Sequence, residues 1–321
     1  MSFFDEKYPL LQVSVDKVKK KMLDELQRSH PLIREPLTQF VSGGGKYLRA
    51  GFYLLATYFG ESHNDEKHIT ISASIEMLHI ATMIHDDIID NTVMRRKQKT
   101  IHSILGKHKG VLVGDYLLSK TFEMTVEYAS HDEIKELSKT ITKLCESELD
   151  QSRFIFYQSL SFRQYLKRIA GKTASLFSLS MYLGAKQSGC DEKTVLRLSK
   201  VGYFIGMSFQ IIDDLLDYTG DAKVFGKPVY NDLKEGIYTI PILYALQEKP
   251  SLKVLLEKKL FITFPVKKIV SVIHTTKALQ RTKDLALKYV EKAIKELELL
   301  PETAATCIIK QCTLDLVNRQ Y

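Results

Sequence analysis

Ile84-His85-Asp86-Asp87-Ile88-Ile89-Asp90 and Ile211-Ile212-Asp213-Asp214-Leu215-Leu216-Asp217 are the two stretches on which the reading of this chain turns. Each sets aspartates at i, i+1 and i+4 within apolar sequence. On a helix, i and i+4 share a face one turn apart, so Asp86 pairs with Asp90 and Asp213 with Asp217. A lone motif of this kind reads as a solvated helical face. Two copies, each embedded among isoleucine and leucine, do not. Like charges crowded on an apolar helix repel and lose hydration unless something neutralises them. Oxygen ligands without His or Cys at matching spacing favour Mg²⁺ over zinc.

Mg²⁺ held by few carboxylates completes its shell with water and phosphate oxygens. Cationic side chains should then stand nearby to take the remaining phosphate charge. Arg95 and Arg96 follow the first motif, and Lys227 follows the second across a stretch rich in Gly, Pro and Asp, residues 220–232.

Working outward, the sequence has no proline between Pro36 and Pro228. Helix interiors exclude proline, so the gap predicts consecutive helices. Apolar residues recur at helical spacing within it, at Ile71, Ile75, Leu78 and Thr82 and at Val201, Ile205, Phe209 and Ile212. The pattern predicts helices over 12–30, 31–43, 47–60, 66–92, 110–130, 132–159, 162–184, 191–218 and 237–247, then shorter ones ending with 278–299 and 302–318. No low-complexity linker interrupts the chain, so the expectation is one all-α domain over residues 1–321.

A hydrophobic fraction of 45% among 321 residues suits a globular protein. The net charge of +8 points to an anionic partner. Neither zinc-finger spacing nor an aromatic RNA-binding signature accompanies the lysines, which argues against nucleic acid. Cys145, Cys190, Cys307 and Cys312 form no Cys-x-x-Cys pair and read as reduced thiols. The N-terminus lacks a signal-peptide pattern, and no apolar run approaches the ~20 residues of a membrane span. A cytoplasmic location is expected.

The ordered motifs resemble those of the trans-polyprenyl diphosphate synthases. They are Gly44-Gly45-Lys46-x-x-Arg49, His79, His85-Asp86-Asp87-x-x-Asp90 with Arg95-Arg96, Gly114-Asp115, Lys172-Thr173, Phe209-Gln210-x-x-Asp213-Asp214-x-x-Asp217, and Gly226-Lys227-Pro228 before Asp232-Leu233. Gly206 to Tyr218 and the ending Arg319-Gln320-Tyr321 look most like the catalytic large subunits of bacterial hexaprenyl and heptaprenyl diphosphate synthases. The resemblance implies an isoprenoid synthase bundle of antiparallel helices around a central cavity, with the acidic motifs facing each other at its mouth. It implies head-to-tail condensation of isopentenyl diphosphate with an allylic diphosphate, with about three Mg²⁺ ions. Asp86, Asp90 and Asp213 would be the principal ligands, and Asp87, Asp214 and Asp217 would act through water and outer contacts. Arg95, Lys172 and Lys227 would hold the allylic diphosphate. Lys46, Arg49, His79 and Arg96 would hold isopentenyl diphosphate, with Phe209 against its hydrocarbon. Thr173 and Gln210 would stabilise the allylic cation. Partners implied are a second copy or a small accessory subunit, and a membrane approached through the lipid product.

In this family, residues below the first motif set product length. Here Ala81 and Thr82 precede Asp86 by one turn, with Leu78, Ile75 and Ser74 below. The stripe from Thr82 to Ile71 spans roughly 16 Å at the helical rise. Small residues at the top imply a medium-to-long product for quinone side chains; the alternative is a shorter, geranylgeranyl-type product. Three departures stand out. Lys97-Gln98-Lys99-Thr100 replaces the usual Gly-x-Pro-Thr, Ile237 stands where many members have lysine, and Ala50 replaces proline. A non-catalytic subunit would typically lose one acidic motif, and a terpene cyclase usually carries a different second metal motif. A head-to-head synthase lacks the isopentenyl site suggested by Lys46 and Arg49.

Overall fold

The helical periodicity is realised along the chain. The computed structural model describes residues 3–4, 8–156, 161–219, 230–257 and 265–318. Lys227, with Gly226 and Pro228, and Arg319-Gln320-Tyr321 lie outside the described residues. In order the elements are α1 (Pro9–Gln27), α2 (Pro31–Ser42), α3 (Leu48–Thr57), α4 (Asp65–Ile89), strands β1 (Met94–Arg95) and β2 (Gln98–Lys99), α5 (Ile101–Leu105), α6 (Lys107–Val126) and α7 (His131–Arg153). There follow α8 (Phe162–Ile169), a π-helical turn (Ala170–Ala174), α9 (Ser175–Gln187), α10 (Glu192–Thr219), α11 (Asn231–Glu235), α12 (Ile240–Glu248), α13 (Leu252–Leu256), α14 (Val266–His274), α15 (Ala278–Leu297) and α16 (Ala304–Asn318). No described helix is long and apolar enough to cross a membrane.

Two compact units are resolved: Met1–Leu137 with Ser180–Leu198, and Ser138–Leu179 with Ser199–Tyr321. In the first, α4 packs against α1, α3 and α6. Every residue from Thr70 to Leu78 is buried, as expected of a helix that is apolar on most sides. The side chain of Asn64 caps α4 by accepting from the Lys67 amide at 3.0 Å, and Asp65 and Glu66 occupy the first turn. Both features favour the positive helix N-terminus.

Residues 66–92 were expected to be helical, but α4 stops at Ile89. Asp90 is the C-cap, Asn91 turns left-handed at φ 52°, and the Thr92 amide bonds back to the Asp87 carbonyl. The Lys97-Gln98-Lys99 departure is a short hairpin, Met94–Arg95 paired antiparallel with Gln98–Lys99. Arg96 and Lys97 form its two-residue turn at φ 50° and 64°. Such turns favour Asn or Gly, so Lys97 occupies, at a conformational cost, the place where the family usually has glycine.

In the second unit one core cluster gathers Tyr165, Ile169, Met207, Ile211, Ile212, Leu215, Ile240 and Val290. The apolar residues between the second set of aspartates are thus part of a hydrophobic core, and their burial fixes the rotation of α10. A second cluster joins Tyr218, Leu233, Ile242, Leu252, Ile269 and Ile273. The expected helix over 162–184 is interrupted by the π-helical turn at Ala170–Ala174, a distortion that recurs at functional sites. Ile237, the second departure, is buried.

Asn64→Ala removes the cap of the helix carrying the first acidic motif. It is expected to lower unfolding free energy by about 1 kcal/mol, read as a lower urea midpoint at unchanged slope.

Candidate active site

The first acidic motif sits in the last turn of α4. Asp87 is 1% exposed, whereas Asp86 and Asp90 are half-buried. Arg95 reaches back from β1 and donates to Asp87 Oδ1 through Nε at 2.8 Å and Nη2 at 2.7 Å. A buried carboxylate left without a partner is costly, and a guanidinium forms a charge-assisted contact suited to it. Two donors of the Arg95 head, Nε and Nη2, are therefore engaged by the motif's central aspartate, and the residue stands close to Asp86 and Asp90 in sequence. His85 is seated by Gly114: a Cβ there would lie 2.1 Å from the His85 Nε2 atom. The ring contacts the Val111 carbonyl at 3.2 Å and Asp115 at 3.5 Å. That packing gives the Gly114-Asp115 pair its physical role.

The polar residues expected to hold isopentenyl diphosphate lie in the same unit, whereas Phe209, expected against its hydrocarbon, belongs to the second. Lys46 is half-buried and Arg49 buried, on the loop before α3 and in its first turn. Arg96 donates to the Gly44 carbonyl, which ties the hairpin to the glycine-rich loop. His79 is held well below the usual imidazole range by burial, reinforced by Arg49, Arg96 and Arg95. It is therefore neutral near pH 7 and able both to donate and to accept.

Glu76, one turn before His79, was not singled out in the sequence. It is 5% exposed, and burial pushes its carboxyl upward against the opposing pull of Arg49, the Ala50 amide and Arg96. An ionisable residue inside the run Ser74-Ile75-Glu76-Met77-Leu78 was the available signal. The residues expected to set product length are on the same helix. Ala81 is 2% and Leu78 1% exposed. Thr82 donates to the His79 carbonyl, and Ser74 bonds Thr125 of α6 at 2.9 Å.

The second unit organises its motif around Asp214, which is 3% exposed. Tyr165 donates to Asp214 Oδ2 at 2.5 Å, and the Gln210 amide donates to Oδ1 at 2.9 Å. The other end of the Gln210 amide accepts from Thr173 at 2.7 Å. Thr173, Gln210, Asp214 and Tyr165 thus form one continuous chain of hydrogen bonds. Phe209 lies against Phe177, ring centroids 5.5 Å apart. Lys172 projects from the π-helical turn, its Nζ 2.7 Å from Glu148. Burial, with a smaller push from the Asp232 charge, raises the Asp214 carboxyl to about 7. The same two causes raise Asp217 to about 7, although the Asn231 amide donates to it at 3.1 Å. Tyr165 and Glu148 carry no sequence signal, because their importance lies in contacts far along the chain; Asp232, part of the motif after Lys227, acts here through its charge on Asp214 and Asp217.

The donor chemistry fits a hard divalent cation. The atoms available to such a cation would be carboxylate oxygens, and Asp87 and Asp217 each retain a buried oxygen, Oδ2, with no hydrogen-bond partner among the described residues. Among the described residues no three His, Cys, Asp or Glu side chains are gathered to enclose an ion. Ligand oxygens and water are the natural completion of such a shell for Mg²⁺.

An all-α chain of this architecture has the isoprenoid synthase fold. Residues 30–273 match the profile of the polyprenyl synthetase family, and the chain belongs to that family of prenyltransferases. It is 34% identical over 304 residues to heptaprenyl diphosphate synthase component 2 of Bacillus subtilis, covering 94% of this chain and 87% of that protein. It superposes on heptaprenyl diphosphate synthase from Staphylococcus aureus with a TM-score of 0.92 at 29% identity, covering 97% of this chain and 99% of that one. A polyprenyl synthase from Caulobacter crescentus complexed with calcium and isoprenyl diphosphate gives a TM-score of 0.90 at 29% identity, covering 97% and 96%.

The raised carboxyls predict a pH dependence. At pH 6 the folded protein holds protons on Asp214 and Asp217 that the unfolded chain has released. Their contribution to metal-free stability is therefore greatest at low pH and is lost as pH climbs through about 7. A cation held at this motif would need the ionised forms, so Mg²⁺–diphosphate affinity should rise from pH 6 to 8. Calorimetry in buffers of different ionisation enthalpy should show proton release on binding near pH 6.5.

Proposed function

We propose that this enzyme condenses isopentenyl diphosphate with an allylic diphosphate (geranyl, farnesyl or longer), forming a medium-to-long all-trans polyprenyl diphosphate and diphosphate. The observation that carries the reading is the repeated arrangement of the acidic motif. In each unit the central aspartate, Asp87 or Asp214, is buried and bonded, while Asp86 and Asp90, or Asp213, remain half-buried. The pattern suits helices that present outer carboxylates to a cation and anchor themselves by the inner one.

Asp86, Asp90 and Asp213 would be the principal Mg²⁺ ligands, with Asp87, Asp214 and Asp217 supporting them. Bound Mg²⁺ would supply positive charge that offsets the departing diphosphate. Lys172 and Arg95, with Lys227 outside the described residues, would hold the allylic diphosphate. Lys46, Arg49, His79 and Arg96 would hold isopentenyl diphosphate, with Phe209 on its hydrocarbon side, so that the two reactants meet as neighbours. The bond between Thr173 and Gln210 sets the direction of the Gln210 amide oxygen, a dipole suited to the allylic cation. The released diphosphate accepts the proton that restores the double bond.

Residues 1–321 act in this reading as one synthase domain in the cytoplasm, with a lipid product that brings it to membranes. Its similarity to a protein named component 2 supports a partnership with a small accessory subunit, alongside self-association as a dimer. Quinone side chains are the expected use of the product.

Purified protein with Mg²⁺, farnesyl diphosphate and labelled isopentenyl diphosphate should give products longer than geranylgeranyl diphosphate, alone or once a small accessory subunit is added. Failure in both cases overturns the reading, and a product stopping at geranylgeranyl diphosphate overturns its length. Ala81→Phe should shorten the product, because a phenyl ring would replace a methyl group one turn below Asp86. Product sizing by thin-layer chromatography checks this, and an unchanged distribution refutes the role of Ala81.

A further inference from the structure

The π-helical turn at Ala170–Ala174 lies against α7. A Cβ at Gly171 would stand 2.7 Å from Ser147 Oγ and 2.9 Å from the Lys143 carbonyl oxygen. Only glycine permits that approach. The next residue in the turn is Lys172, and the next residue in α7 is Glu148. Their side chains meet at 2.7 Å, Nζ to Oε1, with 27% and 24% of each exposed. The other carboxylate oxygen of Glu148 is approached at 3.5 Å by the Gln151 amide from one turn along α7. Nearby, Lys167 and Asp150 also pair, but at 3.5 Å and with side chains 77% and 37% exposed.

We propose that Glu148 is a positioning residue for Lys172, holding its ammonium ready for the diphosphate of the allylic substrate. This rests on the reading of Lys172 given under the proposed function. A lysine head on a flexible four-carbon stem samples many positions in water. Pairing with a carboxylate fixed on a packed helix removes most of that freedom before substrate arrives. An ammonium carries three N–H donors, so Lys172 can keep Glu148 and still donate to a phosphate oxygen. Thr173, the following residue in the turn, bonds Gln210, and Gln210 bonds Asp214. The same turn therefore presents the ammonium and anchors the hydrogen-bond chain of the second acidic motif.

The role is positional, so its removal should act on one substrate and through one lysine. With farnesyl diphosphate varied at saturating isopentenyl diphosphate, Glu148→Ala should lower kcat/KM about tenfold, the scale of a misplaced binding group. KM for isopentenyl diphosphate should stay unchanged. Glu148→Gln keeps an acceptor for the ammonium without the charge and should lose roughly threefold. In a Lys172→Ala background, Glu148→Ala should cause no further loss, because residues that act as a unit are non-additive. Thermal midpoints are measured alongside; if Glu148→Ala fails to fold, Glu148→Gln with and without Lys172→Ala carries the cycle. Equal losses toward both substrates, additive losses in the Lys172→Ala background, or no loss at all overturn the proposal while the wild-type protein still condenses. A wild-type protein that does not condense, with or without an accessory subunit, overturns the functional reading and this proposal with it.

Discussion

Each acidic motif must bury one carboxylate in an apolar helical core, and the rest of the site is arranged around that requirement. Ile84 and Ile88 flank Asp86 and Asp87, and Ile211, Ile212 and Leu215 flank Asp213 and Asp214. When the apolar side chains pack, the central aspartate goes inward with them: Asp87 is 1% exposed and Asp214 is 3% exposed. A bare charge there would cost several kcal/mol, and the two units meet the cost differently. Arg95 neutralises Asp87 by direct donation. Asp214 receives neutral donors, Tyr165 and Gln210, and its carboxyl rises to about 7.

That difference carries into the chemistry. The first motif has a permanent positive charge built against it, since guanidinium does not deprotonate in the physiological range. The second can take up or release protons near neutral pH, which would link the proposed cation binding to pH. Tyr165 and Gln210 also extend the second motif to Thr173, so the carboxylate that steadies α10 steadies the polar pair expected to face the allylic cation. Around His79, burial first keeps the imidazole neutral, and the charges of Arg49, Arg96 and Arg95 push the same way.

Much of this was legible in the residues, and the failures have physical reasons. Helices, acidic spacing and the basic residues beside them follow from local periodicity, which a linear chain displays. α4 ends at Ile89, three residues short of the apolar pattern, because Asn91 just past the C-cap takes the left-handed conformation that asparagine tolerates, a stop signal that periodicity alone does not register. The Arg96-Lys97 turn was hidden because the chain places Arg and Lys where Asn or Gly is the usual sign. The π-helical turn has no local signature in Ala170-Gly171-Lys172-Thr173-Ala174. It sets Gly171 close against Ser147, more than twenty positions earlier in the chain, a contact that local sequence does not display.

By itself the sequence determined that this protein is helical, that it carries two sets of carboxylates of a kind suited to Mg²⁺, and that basic residues accompany them. These are matters of spacing along one helix and of residue chemistry. Only the tertiary structure decided which aspartate of each set goes inward, which partner answers it, and where the Lys172 ammonium is held. Those outcomes depend on burial and on contacts between segments remote in the chain: Tyr165 with Asp214, Thr173 with Gln210, and Glu148 with Lys172.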